Sequence, residues 1–178
     1  MFAHLPRLLG LALACLLLAP GVGGAESGKG DSRQAPSQAG TRALPNGDFA
    51  WVKYQRHVTG QNFEEVWESS QKKMGVDARK EGYVVEAKWT GRNDAAWRSS
   101  RYNPLHVRYS HDQIEPKLLD QAKRLLELDS HSKGHGVRYA VSNLAAQRHF
   151  EQLLRKHFAK ATASGQLRVW HVPGDGMK

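Results

Sequence analysis

Between Phe49 and Lys178 the apolar residues change period from one segment to the next, and this constrains the fold more than any other feature of the chain. "HDQIEPKLLDQAKRLLEL" puts Ile114, Leu118, Ala122, Leu125 and Leu126 on one side of a helix, with Asp112 as its cap. "YVVEAKWT" alternates instead with a period of two, as a strand does. In "NFEEVWESSQKKM" a helical stripe runs through Phe63, Val66, Trp67, Ser70 and Met74, with Asn62 as cap and Glu65 closing a capping box. "GVDA" and "YVVEAKWT" read as two strands joined by the polar turn Arg79-Lys80-Glu81-Gly82, and the segment from Gly91 to Ser110 is polar and irregular. "DSHSKGHG" is a loop. "VRYAVS" and "QLRVWHV" are short strands on either side of the basic amphipathic helix "NLAAQRHFEQLLRKHF". The order α-β-β-α-β-α-β predicts an α/β sandwich, a small mixed β-sheet flanked by helices. About 130 residues suit one domain with one core.

The chain before this domain reads differently. Residues 26–48, "ESGKGDSRQAPSQAGTRALPNGD", contain a single leucine and are expected to form a flexible linker. Ahead of them, Arg7 precedes a twelve-residue apolar run, Leu8 to Ala19, which Pro20-Gly21 breaks and Gly23-Gly24-Ala25 follow. As a helix such a run spans about 18 Å, short of a bilayer core of about 30 Å. Residues 1–25 therefore read as a signal peptide cleaved after Ala25, which makes the protein exported, to the periplasm or beyond, with no stable membrane span. Cys15 is the only cysteine. A lipoprotein anchor on it fits less well, because the apolar run continues for four residues past it. Its removal leaves neither a disulfide framework nor thiol catalysis.

Charge narrows the partners. The chain has 26 Lys+Arg against 17 Asp+Glu, and only Arg7 lies before residue 26. From Ser130 onward eight basic residues accompany two acids, Glu151 and Asp175. A basic exported protein points to a polyanion (nucleic acid, anionic lipid or acidic polysaccharide) or to a solvated surface that binds nothing in particular.

Within "GYVVEAKWTG", Tyr83, Val85, Ala87 and Trp89 share one strand face, and Val84, Glu86, Lys88 and Thr90 share the other. A tight hairpin centred on Lys80-Glu81 pairs Ala78 with Tyr83 and Asp77 with Val84, which turns Asp77 to the face of Glu86 and Lys88. Two carboxylates and a lysine are what metal-assisted phosphodiester cleavage uses. The acids hold a hard divalent cation such as Mg²⁺, which polarises the phosphate and activates water. The lysine orients that water or steadies charge developing at phosphorus. The bare acid-x-Lys pattern is a weak signal, and it recurs at Glu115-Pro116-Lys117, where Pro116 suits the first turn of a helix. An ion-pair ladder on an exposed strand is the competing reading.

The order of Asp77 and then Glu86-Ala87-Lys88 on the next strand resembles the PD-(D/E)xK nuclease superfamily, the restriction-endonuclease fold. More narrowly, Tyr54 to Pro173 resembles the fifth family of restriction-endonuclease-fold bacterial toxins. "YQRHVTG", "EEVW", "GVDA", "VVEAKW", "DQAKR" and "RVWHVP" carry the likeness over about two-thirds of the chain. Gly75-Val76 stands where the superfamily's name-giving proline sits. The resemblance implies a restriction-endonuclease-like sandwich over 49–178 and Mg²⁺-dependent cleavage of DNA in competing cells. It also admits a cognate immunity protein as a partner. It makes Asp77, Glu86 and Lys88 the catalytic set, with the cation on Asp77 and Glu86. The superfamily also contains cutters of RNA and tRNA. Gln121, at the edge of its helix's apolar stripe, is either a satisfied amide or an active-site glutamine, and Gln121-Ala122 matches the family's helical "QA". Of the acids in the first helix, Glu64 flanks the stripe and is better placed than Glu65 if one of them completes the metal site, with capping and solvation as the competing reading for the pair.

Other clusters are less specific. His131 and His135 have ligand-like spacing but lack a further soft ligand for zinc. "AWRSSRYN" interleaves Trp97 and Tyr102 with Arg98 and Arg101, either to stack bases and hold phosphates or as ordinary loop packing. Arg148, Arg155, Lys156 and Lys160 line nucleic acid or lie on a membrane, and the core's need for Phe150, Leu153, Leu154 and Phe158 disfavours the membrane. Two functions follow: a secreted metal-dependent nuclease toxin, or an exported basic module that grips polyanions without catalysis. A pure binder gains nothing from two carboxylates inside a basic surface.

Overall fold

A computed structural model describes residues 36–68, 73–106 and 113–177 of the 178. The signal-peptide reading, Cys15 and the Asp112 cap fall outside them. Strands and helices alternate in a mixed α/β arrangement with two small sheets. The first sheet is antiparallel, in the order β1 (Ser37–Ala43), β2 (Phe63–Glu68), β3 (Lys73–Val76). The second has the order β4 (Ala78–Lys80), β5 (Tyr83–Lys88), β6 (Gly136–Val141), β7 (Leu167–His171). There β4 and β5 are antiparallel, while β5, β6 and β7 run parallel. The parallel pairs require crossovers. The first is made by α2 (Asp94–Arg98) and α3 (Ile114–His131), the second by α4 (Leu144–His157) and α5 (Ala159–Ala163).

Two expectations are corrected. Where a helix is expected over 62–74, the described residues are strands instead: "FEEVWE" is β2, and Lys73 and Met74 begin β3. Phe63, Val66 and Trp67 fit a helical stripe, but the antiparallel partners on both sides of β2 decide the matter. Among the described residues the first helix is instead α1 (Ala50–Thr59), which buries Val52, Tyr54, Gln55 and Thr59 and ends at Gly60, a left-handed C-cap. Part of the expected linker is also ordered, because residues 37–43 form β1 along the edge of β2. All seven of its residues are exposed, so the backbone ladder and the Arg42–Glu64 ion pair hold it rather than apolar burial. Leu44, the single leucine of that stretch, is buried.

The core lies on one face of the second sheet. Val84, Val137, Tyr139, Val141, Leu167 and Val169 form it together with Leu118, Ala122, Leu125 and Leu128 of α3 and Ala146, Phe150, Leu153 and Leu154 of α4. On α4, Asn143 accepts from the N–H groups of Ala145 and Ala146 as N-cap, and Arg148, Arg155 and Lys156 face solvent. The α3 helix runs on through Asp129 to His131, into what the sequence presents as a loop. Buried Asp129 accepts from the Gly136 N–H at 2.9 Å and so ties the helix end to the start of β6. Among the described residues no helix is long and apolar enough to cross a membrane.

The turn between β4 and β5 consists of Glu81 (φ 53°) and Gly82 (φ 81°), both left-handed as a type I′ hairpin requires. A Cβ at Gly82 would also meet His135 Nδ1 at 2.6 Å. Gly82→Val is expected to cost about 1–3 kcal/mol, read as a lower urea midpoint. Glu81→Asn, which tolerates positive φ, should leave the midpoint equal or slightly higher. Equal midpoints for Gly82→Val and the parent would contradict this turn geometry.

Candidate active site

Asp77 occupies a bend between β3 and β4, fixed on either side by the fully buried Val76 and Ala78. The hairpin register differs from expectation. Lys80 pairs with Tyr83 and Ala78 with Val85, two residues along from the anticipated pairing. Because side chains alternate with a period of two, an even shift keeps each residue on its face. Asp77 thus still meets Glu86 and Lys88. Its Oδ2 accepts a hydrogen bond from the Ala87 N–H at 2.6 Å, which clamps the bend onto β5.

The acids are deeply placed: Asp77 is 7% exposed and Glu86 4%. Glu86 Oε1 is ion-paired with Lys88 Nζ, whereas Glu86 Oε2 is buried without a hydrogen-bond partner. Burial pushes the Asp77 carboxyl up to about 8, helped by the charges of Glu86 and Glu64 and opposed by Lys88 and the Ala87 N–H. Burial alone would lower the Lys88 ammonium. Glu86, Tyr102 and Asp77 together outweigh it, and the lysine is held above its ordinary value. Tyr139, opposite Glu86 on β6, has a buried hydroxyl without a partner, raised first by burial and then by Glu86 and Asp77. This is an internal charge cluster rather than an ion-pair ladder on an exposed strand.

The cluster opens into a cleft of about 870 Å³, lined among others by Glu64, Asp77, Glu86, Lys88, Arg92 and Arg101. Its floor is stapled by Ser142, whose Oγ accepts from the Thr90 N–H at 2.9 Å and donates to the Gly91 carbonyl at 3.0 Å. Gly91 (φ 98°) leaves no room for a Cβ, because Ala96 of α2 lies 2.6 Å from that position. The turn following α2 supplies one wall. There Tyr102 packs edge-on against Phe150 at 5.8 Å, and Arg101 lies over the Tyr102 ring with a hydrogen bond to its hydroxyl.

Several expected residues take other roles. Glu64 reaches the cleft from a strand, not a helix, and is paired with Arg42. A Cβ at Gly75 would lie 2.9 Å from Glu64 Oε2, so the glycine makes room for this pair. Glu65 is not a helix cap but accepts from Trp67 Nε1. Gln121 is half-buried on α3 and is not one of the residues that line the cleft. In "AWRSSRYN", Trp97 and Tyr102 are buried against His149 and Phe150, which leaves Arg98 and Arg101 exposed. The ring nitrogens of His131 and His135 go separately to the carbonyls of Glu127 and Glu81. Trp51 and Gln55 of α1 do line the cleft, and sequence reasoning passed over them. The signal was their spacing of four within a segment that ends in glycine.

The donors fit one kind of metal. Among the described residues no group of three or more His, Cys, Asp or Glu could hold an ion, so a closed protein cage is not built. Two carboxylates, one with an orphaned buried oxygen, suit a cation such as Mg²⁺ that keeps most of its waters. Without a cation the site weakens the fold. A carboxyl whose folded value (about 8) exceeds its unfolded value (3.8) stabilises only at low pH, and stability falls as pH rises from about 4 to 8. Asp77→Asn keeps an acceptor for the Ala87 N–H but removes this slope. In EDTA its advantage over the parent should be near zero at pH 4 and reach on the order of 1–3 kcal/mol by pH 8. Thermal unfolding across that range measures it, and parallel curves for the two proteins would contradict it.

Compared with known proteins, the chain matches no family model, and neither a curated protein nor a solved structure matches it.

Proposed function

We propose that the chain is a metal-dependent nuclease of restriction-endonuclease type that hydrolyses phosphodiester bonds, with DNA as its first substrate. One observation carries this reading: two buried carboxylates and a lysine meet in an open cleft, with one Glu86 oxygen unpartnered. Asp77 and Glu86 would hold the cation, which supplies a polarised phosphate and a more acidic attacking water when bound. The chain's own groups do the rest. The Ala87 N–H fixes Asp77 and Glu86 fixes Lys88, whose ammonium donates to phosphate oxygens and offsets their charge. Exposed Arg92 and Arg101 at the mouth hold flanking phosphates. Export by a signal cleaved after Ala25 belongs to the same proposal and rests on the short apolar run from Leu8 to Ala19, while an antibacterial role with an immunity partner rests on the resemblance.

A second reading is polyanion binding without catalysis, which the exposed Arg148, Arg155 and Lys156 of α4 favour. Purified residues 26–178 incubated with plasmid decide between the two. Nicking that requires Mg²⁺ and stops with EDTA supports the nuclease. Retarded but uncut plasmid under both conditions leaves only the binder.

A further inference from the structure

The α1 helix turns two side chains into the cleft that the charge cluster does not use. Trp51 and Gln55 are four residues apart, hence one above the other on one helix face about 6 Å apart along the axis. Their states are opposite. Trp51 is a cleft residue yet 45% exposed, unusual for so large an apolar group. Gln55 is 3% exposed, and its Nε2 is buried without a hydrogen-bond partner. Both features call for something outside the protein: the indole leaves nearly half of its surface to solvent, and the amide lacks an acceptor oxygen. An unsatisfied buried donor costs on the order of 1–3 kcal/mol, so it marks a site that a ligand completes.

We infer that α1 binds one unpaired nucleotide of the substrate, with its base stacked on Trp51 and a phosphate oxygen accepting from Gln55 Nε2. This rests on the nuclease reading for the identity of the ligand and adds the substrate class. The chemistry selects a nucleotide over other anions, because a base has the flat apolar face that the indole needs, and its phosphate supplies the acceptor. The 6 Å spacing lies within the reach of one nucleotide. Phe49, also exposed, stacks beside Trp51 at 6.4 Å and 26° and extends the aromatic platform for the next base. Bases inside a duplex hide their faces, so this subsite favours single strands, frayed ends or an extruded nucleotide. Gln55, rather than Gln121, is the glutamine of the cleft.

The test is binding in EDTA, where no cation-dependent cleavage interferes. The purified chain is titrated with a fluorescent oligothymidylate of about twelve nucleotides and, separately, with its duplex on oligoadenylate. The single strand should bind more tightly than the duplex. Trp51→Ala should weaken single-strand binding about tenfold or more while changing duplex binding by less than about twofold. Trp51→Phe keeps a stacking face and should recover most of the loss. Gln55→Met, which keeps the volume but has no donor, should weaken the oligonucleotide severalfold and leave thymidine, which lacks a phosphate, unaffected. Trp51 is exposed, so its variants test the site without a packing defect, and circular dichroism checks the fold of Gln55→Met. Equal binding of single strand and duplex, or equal losses on both with Trp51→Ala, would overturn the inference. The outcome is separable from the plasmid assay. Trp51-dependent strand binding without any cleavage retains this subsite and removes the nuclease, and cleavage without Trp51 dependence does the reverse.

Discussion

Lys88→Gln is expected to lower plasmid cleavage by about 10² to 10³, whereas Lys117→Gln should change it by less than about twofold. Glutamine is the informative replacement because Lys88 and Glu86 form a buried pair, and Lys88→Ala would leave Glu86 as an uncompensated internal charge. The amide still donates to Glu86 but brings no positive charge to the phosphate. Lys117, in the other acid-x-Lys run, is exposed on the first turn of α3 and not in the cleft. Glu86→Gln and Asp77→Asn should abolish cleavage too, yet leave DNA affinity equal or higher, because carboxylates repel phosphate. Nicking rates with Mg²⁺ and with EDTA, alongside circular dichroism, give the readout. Equal rates for Lys88→Gln and Lys117→Gln, or cutting that EDTA leaves untouched, would reduce Glu86 and Lys88 to an internal ion pair.

Much of the second sheet was legible in the sequence because its signals are local. Val84, Glu86 and Lys88 alternate with Tyr83, Val85 and Ala87, and α3 and α4 show their apolar stripes within single segments. The meeting of Asp77 with Glu86 and Lys88 survived a wrong register for a physical reason. A slip of two residues preserves the face, whereas a slip of one would have sent Asp77 to the opposite side. The first sheet was not legible. Its β1 has seven exposed residues and no apolar pattern, so only the distant β2 specifies it. For its part, β2 places Phe63, Val66 and Trp67 where a helix and a strand are equally compatible, and the pairing that decides lies 22 residues away at Arg42 and Glu64. Once that segment is taken as helix, α1 loses its place, and Trp51 and Gln55 drop out of the site with it.

Phe150→Ala should be the most destabilising single change in the core, at about 3–5 kcal/mol, against about 0.5 kcal/mol or less for Leu144→Ala on the same helix. Phe150 is fully buried, and its ring meets Tyr102 at 5.8 Å, Tyr139 at 6.2 Å and His149 at 6.1 Å. Leu144, at the helix start, is exposed. Out of a total stability of roughly 5–15 kcal/mol, the larger loss corresponds to a fall in Tm of about 10–20 °C. The position links fold to chemistry, because Tyr102 is a wall of the cleft and Tyr139 stands opposite Glu86. The two kinds of variant therefore separate by temperature. Phe150→Ala should lose cleavage at 37 °C and regain much of it on cooling below its new Tm, since Asp77, Glu86 and Lys88 are all present. Lys88→Gln should keep its loss of about 10² to 10³ at every temperature, since its fold is intact and its ammonium is missing. A Phe150→Ala protein with an unchanged Tm would mean that the ring is not the joint between α4, β6 and the cleft wall.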